Sequence, residues 1–386
     1  MKRIYLDWAA AAPISKKAER AFLRALPLYG NPLSVHTEGQ KASLLLEDAR
    51  TRIARLAGVK ADAIVFTSGA TEANNLAIKG VIAAHLQAGK KANELHVLHL
   101  STGHASTVKT VEALRAEGIQ VEPIALSGFS IDLAAFKMQL RPETVLVCVD
   151  AVCGETGTRF NTREIGTLLE EQKAPRPLLH VDASQLPLIE SIERTRLKAD
   201  LVTLDAQKVG AVRGIGVLIA PRSVHLTRIT EGGGQERELR PGTPSPALAQ
   251  SFATALEEAL HTREQFSKDA TQMKTALIQT LTKEIPSLVI NASKESAPHI
   301  LNFSLIGRDT DYAVMLLDRA GYAISTRSAC ETDASGSRPV HMMTKDDTRA
   351  ASTLRVSWGP KTSKSSLRSF ARALVRTVRF LDANAL

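Results

Sequence analysis

The chain has 386 residues, 44% of them hydrophobic and 23% charged, which is long enough for two domains with separate cores and shows no repeat, collagen-like or disordered composition. Its net charge of +9 is spread along the whole length and aromatic residues make up only 4%, so a concentrated basic stripe and base-stacking platforms are both missing and direct nucleic-acid binding is not expected. The three cysteines, Cys148, Cys153 and Cys330, are too few and too scattered for a disulfide framework or a four-ligand site, so no metal is expected.

The first residues reach Asp7 before any signal-like apolar run develops, and no apolar stretch is long enough to span a bilayer. A cytoplasmic protein without membrane contact is the expectation. From about residue 63 to residue 220, short apolar runs alternate with amphipathic stretches, the pattern of parallel strands joined by helices. The runs predict strands over 63–67, 95–100, 144–149, 177–181, 201–204 and 215–219, with helices over 72–87, 107–117, 133–140 and 162–172. After the turn-rich segment 240–246, a long helix is predicted from 247 towards 284. Strands over 299–304 and 354–357 and helices over 311–320 and 364–381 then follow, an α+β pattern. The expected architecture is α/β, with a large domain over 15–246 around a mostly parallel central sheet flanked by helices. A smaller α+β domain takes residues 1–14 and 247–386.

In such sheets ligands gather at the carboxyl ends of the strands, where several candidate residues fall. Lys208 follows a strand and precedes a glycine-rich segment, a position that suits a Schiff base to an aldehyde cofactor. The segment Thr67-Ser68-Gly69-Ala70-Thr71-Glu72 links a strand to a helix, where free backbone N–H groups and the helix dipole favour a phosphate; as an ordinary helix start it would be capped by Thr71. Asp182, in His180-Val181-Asp182-Ala183-Ser184-Gln185, could hold a pyridinium nitrogen protonated, and His104 could stack on a ring or shuttle a proton. Cys148 lies in an apolar run and reads as core, whereas Cys330 lies in polar, small-residue loop sequence where Arg327 could favour its thiolate.

Taken in order, these segments resemble the cysteine desulfurases of the class V aminotransferase family. The resemblance runs from Tyr5-Leu6-Asp7 to Arg355-Val356-Ser357-Trp358-Gly359 and includes Gly30-Asn31-Pro32, Gly232-Gly233-Gly234-Gln235-Glu236-Arg237, Arg240-Pro241-Gly242-Thr243 and Ser328-Ala329-Cys330. It implies a fold type I enzyme dependent on pyridoxal 5'-phosphate, a homodimer that converts L-cysteine to L-alanine. Sulfur would pass as a persulfide on Cys330 to an acceptor protein for iron–sulfur cluster assembly or tRNA thiolation. Position by position, the resemblance implies that Lys208 carries the cofactor and moves the α-proton, Asp182 pairs with the ring nitrogen, Gln185 with the ring hydroxyl, and His104 stacks on the ring. Ala70, Thr71 and Thr243 would bind the phosphate, Thr243 from the second subunit, while Asn31 and Arg355 would hold the substrate carboxylate.

Three departures stand out. Asp205 and Gln207 replace a serine and a histidine that serve the cofactor phosphate in the family, and an ionised Asp205 would repel that group unless it turns away or pairs with a cation such as Arg213. Cys153 and Gly154 replace asparagines that precede a glutamate, which removes a hydrogen bond to the ring hydroxyl. Arg327 replaces a glycine in the cysteine loop. Cofactor affinity below the family norm is therefore expected. Two other readings are a non-catalytic homologue kept as a binding or scaffold subunit, and a related class V enzyme such as a selenocysteine lyase.

Overall fold

A computed structural model describes residues 3–172, 175–326 and 336–384, so Cys330 and the Arg327 departure lie outside the described residues. After β1 (Ile4–Tyr5), α1 (Lys16–Ala25) and α2 (Thr37–Ala57), the chain enters a seven-stranded sheet. Its strands are β2 (Ile64–Thr67), β3 (His96–His99), β4 (Gln120–Pro123) and then, beyond the small hairpin of β5 (Leu126–Ser127) and β6 (Ser130–Ile131), β7 (Thr144–Asp150), β8 (Leu178–Asp182), β9 (Leu201–Asp205) and β10 (Gly216–Ile219). The spatial order is β2-β10-β9-β8-β7-β3-β4. Along β7, Val147 and Val149 enter one apolar core while Leu146 and Cys148 enter another, so the two-residue strand period buries both faces of the sheet. Cys148 is indeed core, and burial pushes its thiol pKa up.

The connections are made by α3 (Ala70–Gln87), α4 (Ala105–Ala113), α5 (Leu133–Gln139), α6 (Thr162–Glu170) and α7 (Arg194–Leu197). The sheet is mostly parallel, as expected, with one antiparallel strand. β10 pairs antiparallel with both β9 and β2, because only a short connection without a crossover helix returns the chain from β9. Gly216 begins β10 opposite Asp205 on one side and Thr67 on the other. A Cβ at Gly216 would lie 2.6 Å from the Gly69 carbonyl carbon, so glycine is required for the start of α3 to close over the sheet.

The carboxyl-terminal part holds α8 (Pro246–Glu284), β11 (Leu288–Ile290), β12 (Ile300–Leu305), α9 (Thr310–Arg319), β13 (Tyr322–Ala323), α10 (Arg338–Thr344), α11 (Asp347–Ala351), β14 (Thr353–Ser357) and α12 (Lys364–Ala383). β11, β12 and β14 form an antiparallel sheet, and β1 pairs with β13, which ties the first residues to this part of the chain. Helix α8 packs along α1 and α2 and also meets α12. Among the described residues no helix is long and apolar enough to cross a membrane.

Candidate active site

The carboxyl ends of β2, β7, β8 and β9 open into a cleft of about 300 Å³. It gathers Ala70, Thr71, His104, Asp182, Gln185, Asp205, Gln207, Lys208 and Arg355, residues spread over most of the chain. Lys208 lies at its mouth, with Nζ donating to the carbonyls of Ala9 at 2.8 Å and Ala10 at 2.7 Å. Asp182 ends β8, where Asn74 Nδ2 donates to one carboxylate oxygen at 2.8 Å and the Ser184 N–H to the other at 2.9 Å. Asn74 is fully buried and also donates to Ser106 Oγ, so the acid is held from the sheet and from two helices. His180, two residues before it, bonds Thr203 inside the sheet, and burial lowers its pKa to about 4, so this imidazole is neutral packing.

His104 caps α4, its Nδ1 accepting the Ser106 N–H at 3.1 Å, which fixes the ring at the cleft wall. Gln185 donates to the Ala9 carbonyl at 2.8 Å and faces Gly154, where a Cβ would come within 3.4 Å of its amide nitrogen. At the other end of the cleft, Arg355 on β14 is buried, with one terminal nitrogen 2.7 Å from Asp7 and the other 3.0 Å from the Gly154 carbonyl. Its Nε has no hydrogen-bond partner among the described residues.

Helix α3 begins differently from the expected Thr71 cap. Gly69 is its N-cap without a side-chain bond, while Glu72 reaches back to accept the Ser68 N–H and pairs with Arg240 at 3.0 Å. Burial alone would raise the Glu72 pKa, but Arg240 and the Ser68 N–H outweigh it and bring it down. The carboxylate that meets the exposed end of α3 is Asp205. Its Oδ2 lies 3.2 Å from the Ala70 nitrogen and its Oδ1 3.0 Å from the Gln207 nitrogen. Asp205 thus neither turns out of the cleft nor bonds Arg213, which is exposed; it takes its shorter hydrogen bonds from backbone N–H groups and a longer one, 3.4 Å, from the Gln207 side-chain amide.

Two expected residues are not brought to the cleft within this chain. Asn31 is exposed and its side chain accepts the Leu33 N–H, and Thr243 is exposed after the 240–242 turn. Cys330 lies outside the described residues. The cleft also contains Cys153, known from the sequence only as a replacement, and two side chains, Arg338 and Asp150, that sequence reasoning passed over. Cys153, buried with its thiol pKa raised by that burial, donates weakly to the Thr102 carbonyl. Arg338, at the start of α10, bonds the Ser101 and Gly103 carbonyls and so ties the carboxyl-terminal part to the loop before His104. Asp150 ends β7 directly opposite Asp182 in the strand register. It carries the signal that singled out Asp182, a carboxylate closing a buried apolar run.

Asp150 is 4% exposed, accepts the His104 N–H at 2.8 Å through Oδ2, and has no partner for Oδ1 among the described residues. Burial first, and the Asp182 carboxylate second, raise its pKa to about 7, against smaller lowering effects from His104 and Arg338. A carboxyl with a raised native pKa stabilises the fold below its unfolded value and loses that contribution as pH rises through the native value. Stability is therefore expected to fall between about pH 4 and pH 7, and Asp150→Asn to flatten that slope. Thermal melts across this range check it; equal slopes in both proteins would place the proton elsewhere.

The site fits pyridoxal phosphate at its ring end, where an amine, a fixed carboxylate and a ring-sized wall converge. The phosphate end has the required helix N-terminus but also the Asp205 carboxylate. Residues 4–370 match the family described as Aminotransferase class-V. The mitosomal cysteine desulfurase of Encephalitozoon cuniculi is 33% identical over 388 residues, 98% of this chain and 88% of that one. Among solved structures, SspA in complex with cysteine superposes with a TM-score of 0.78 at 27% identity, covering 93% of this chain and 99% of that one. A NifS-like protein shares the fold with a TM-score of 0.90 at 24% identity, over 98% of this chain and 100% of the other. With its fold and its strand-end residues in that arrangement, the chain belongs to the class V aminotransferase family, whose cysteine desulfurase members are pyridoxal-phosphate enzymes.

Proposed function

We propose that this protein is a pyridoxal-phosphate-dependent cysteine desulfurase. The observation that carries the reading is the placement of Lys208, Asp182 and buried Arg355 around one cleft, with desulfurases among the relatives that match nearly its whole length. Bound there, the cofactor supplies an electron sink that makes the α-proton of an amino acid removable. Asp182 keeps a negative charge fixed at the cleft base through Asn74 and Ser184. Arg355 takes the substrate carboxylate, with Asp7 holding the guanidinium plane in place. Lys208 moves the proton at the substrate α-carbon, and His104 walls the cleft. Cys330 attacks the substrate sulfur as a thiolate; the carbon–sulfur bond breaks, a sulfur–sulfur bond forms on Cys330, and the β-carbon takes a proton to leave as alanine. The persulfide then passes to an acceptor protein.

The proposal extends to a cytoplasmic homodimer, with Thr243 completing the partner's phosphate end. Exposed apolar side chains between α1 and α2, among them Tyr29 at 86% and Val35 at 89% exposure, support burial of that stretch against another copy. Asp205 on the Ala70 N–H favours a second reading, the non-catalytic binding or scaffold subunit. Incubating the protein with pyridoxal phosphate, L-cysteine and a reductant separates them. Equal yields of alanine and sulfide are expected, with both lost in Cys330→Ser. Absence of alanine would support the scaffold reading, and alanine undiminished in Cys330→Ser would indicate a lyase, such as one acting on selenocysteine.

A further inference from the structure

We propose that Asp205 is a built-in anion at the phosphate end of the cleft, a specificity-determining residue that makes this chain discriminate weakly between the phosphorylated and unphosphorylated forms of its aldehyde cofactor. The inference rests on the cofactor reading above and adds a role for a residue on which that reading does not depend.

By helix geometry the first N–H groups of α3 have no partners inside the helix and point out of its end. An anion placed there gains their hydrogen bonds and the favourable end of the helix dipole. In this chain that anion is already covalently present. Asp205 ends β9, Gly216 lies beside it in the register, and the missing Cβ of Gly216 lets the 69–70 backbone come close. The Asp205 carboxylate thereby meets the Ala70 N–H at 3.2 Å while its other oxygen holds the Gln207 N–H at 3.0 Å. The Gln207 amide nitrogen lies 3.4 Å from Oδ2 as well. Ala70 and Gln207 are thus both engaged by one carboxylate, which is only 8% exposed. A phosphate arriving at the same donors must displace this carboxylate or accept its charge within a few ångströms, at low dielectric. An unphosphorylated aldehyde meets neither obstacle, since its ring-end contacts lie at Lys208 and Asp182.

Apo protein, Asp205→Asn and Asp205→Ser are titrated with pyridoxal phosphate and with pyridoxal, followed by the absorbance of the lysine-linked aldehyde and by equilibrium dialysis. Both replacements retain a side chain able to cap the 206–208 turn, so folding is expected to survive, and circular dichroism verifies it. Each variant is expected to bind pyridoxal phosphate about tenfold or more tightly than the parent. Pyridoxal affinity should change by less than about threefold. Inorganic phosphate alone, in thermal shift, is expected to stabilise Asp205→Asn and to leave the parent unmoved. Unchanged phosphate discrimination in both variants, or an equal shift for both aldehydes, would overturn the role of Asp205 while leaving the cofactor reading intact. If neither aldehyde gives a lysine-linked absorbance in any of the proteins, and Lys208→Ala behaves as they do, the cofactor reading itself fails and takes this inference with it.

Discussion

Lys208→Ala is expected to abolish alanine formation and the lysine-linked absorbance of bound cofactor while leaving the protein folded. The amine is the only group of this side chain that enters the cleft's hydrogen bonding, with Nζ held by the Ala9 and Ala10 carbonyls. Those two acceptors aim a flexible four-carbon stem at the ring end of the site, so the residue supplies both an attachment point and a positioned base. Losing a positioned proton carrier by itself costs roughly 10²- to 10⁴-fold in rate, and losing the attachment adds to that. The local backbone does not depend on the amine, since the turn over 206–208 is capped from Asp205 through the Gln207 N–H. Lys208→Arg keeps the positive charge and the reach but not the primary amine that an aldehyde cofactor needs for its linkage, and is expected to be equally inactive. Turnover measured as alanine, beside thermal melting of each variant, gives the answer; alanine formation within about tenfold of the parent in Lys208→Ala would remove this lysine from the chemistry.

The same cleft shows which parts of the site could be read from residues alone. Lys208, Asp182 and Ala70 were legible because each closes or follows a short apolar run, and a sheet with covered faces brings such ends to one edge. Asp150 has that signature too and was passed over only because no motif surrounds it. The partner of Asp205 was not legible. It depends on β10 turning back antiparallel, on the missing side chain at Gly216 and on a contact between residues 135 positions apart, none of which a local pattern records. Helices α1 and α2 escaped notice for a related reason: beside Leu46 and Ile53 the buried positions of α2 are small, with Gly39, Ala42, Ala49, Ala54 and Ala57 facing inward, so its apolar stripe is diluted. Asn31 and Thr243 were reached through family resemblance, and within one chain both stay on the surface.

The glycine-rich motif before α8, one of the segments that carry the family resemblance, makes architectural contacts, and they predict the largest loss of stability. Glu236 is 9% exposed and forms a two-point ion pair with Arg50, at 2.7 and 2.8 Å, while also accepting the Phe66 N–H at 2.8 Å. Arg50 in turn donates to the Ile64 carbonyl and lies 4.8 Å over the Phe66 ring. Burial alone would lower the Arg50 pKa, and Glu236, seconded by the more exposed Glu47 on Nε, more than reverses that, so Glu236 is the guanidinium's buried counter-charge. Glu236, Arg237 and Glu238 all adopt left-handed backbone, with φ of 48°, 59° and 64°, a strain that persists only where surrounding contacts hold it. Glu236→Ala would leave a buried cation beside β2 with only the exposed Glu47 carboxylate and the Ile64 carbonyl as partners, and free three strained residues to relax. The expected cost is about 3–5 kcal/mol in urea denaturation, against a smaller loss for Glu236→Gln, which keeps an acceptor for Arg50 and for Phe66. A loss below about 1 kcal/mol would mean that Arg50 finds water as readily as an exposed ion pair does. Because β2 runs straight into the Gly69–Ala70 turn, the same substitution is expected to loosen the phosphate end of the cleft, so weaker cofactor binding should accompany the lost stability.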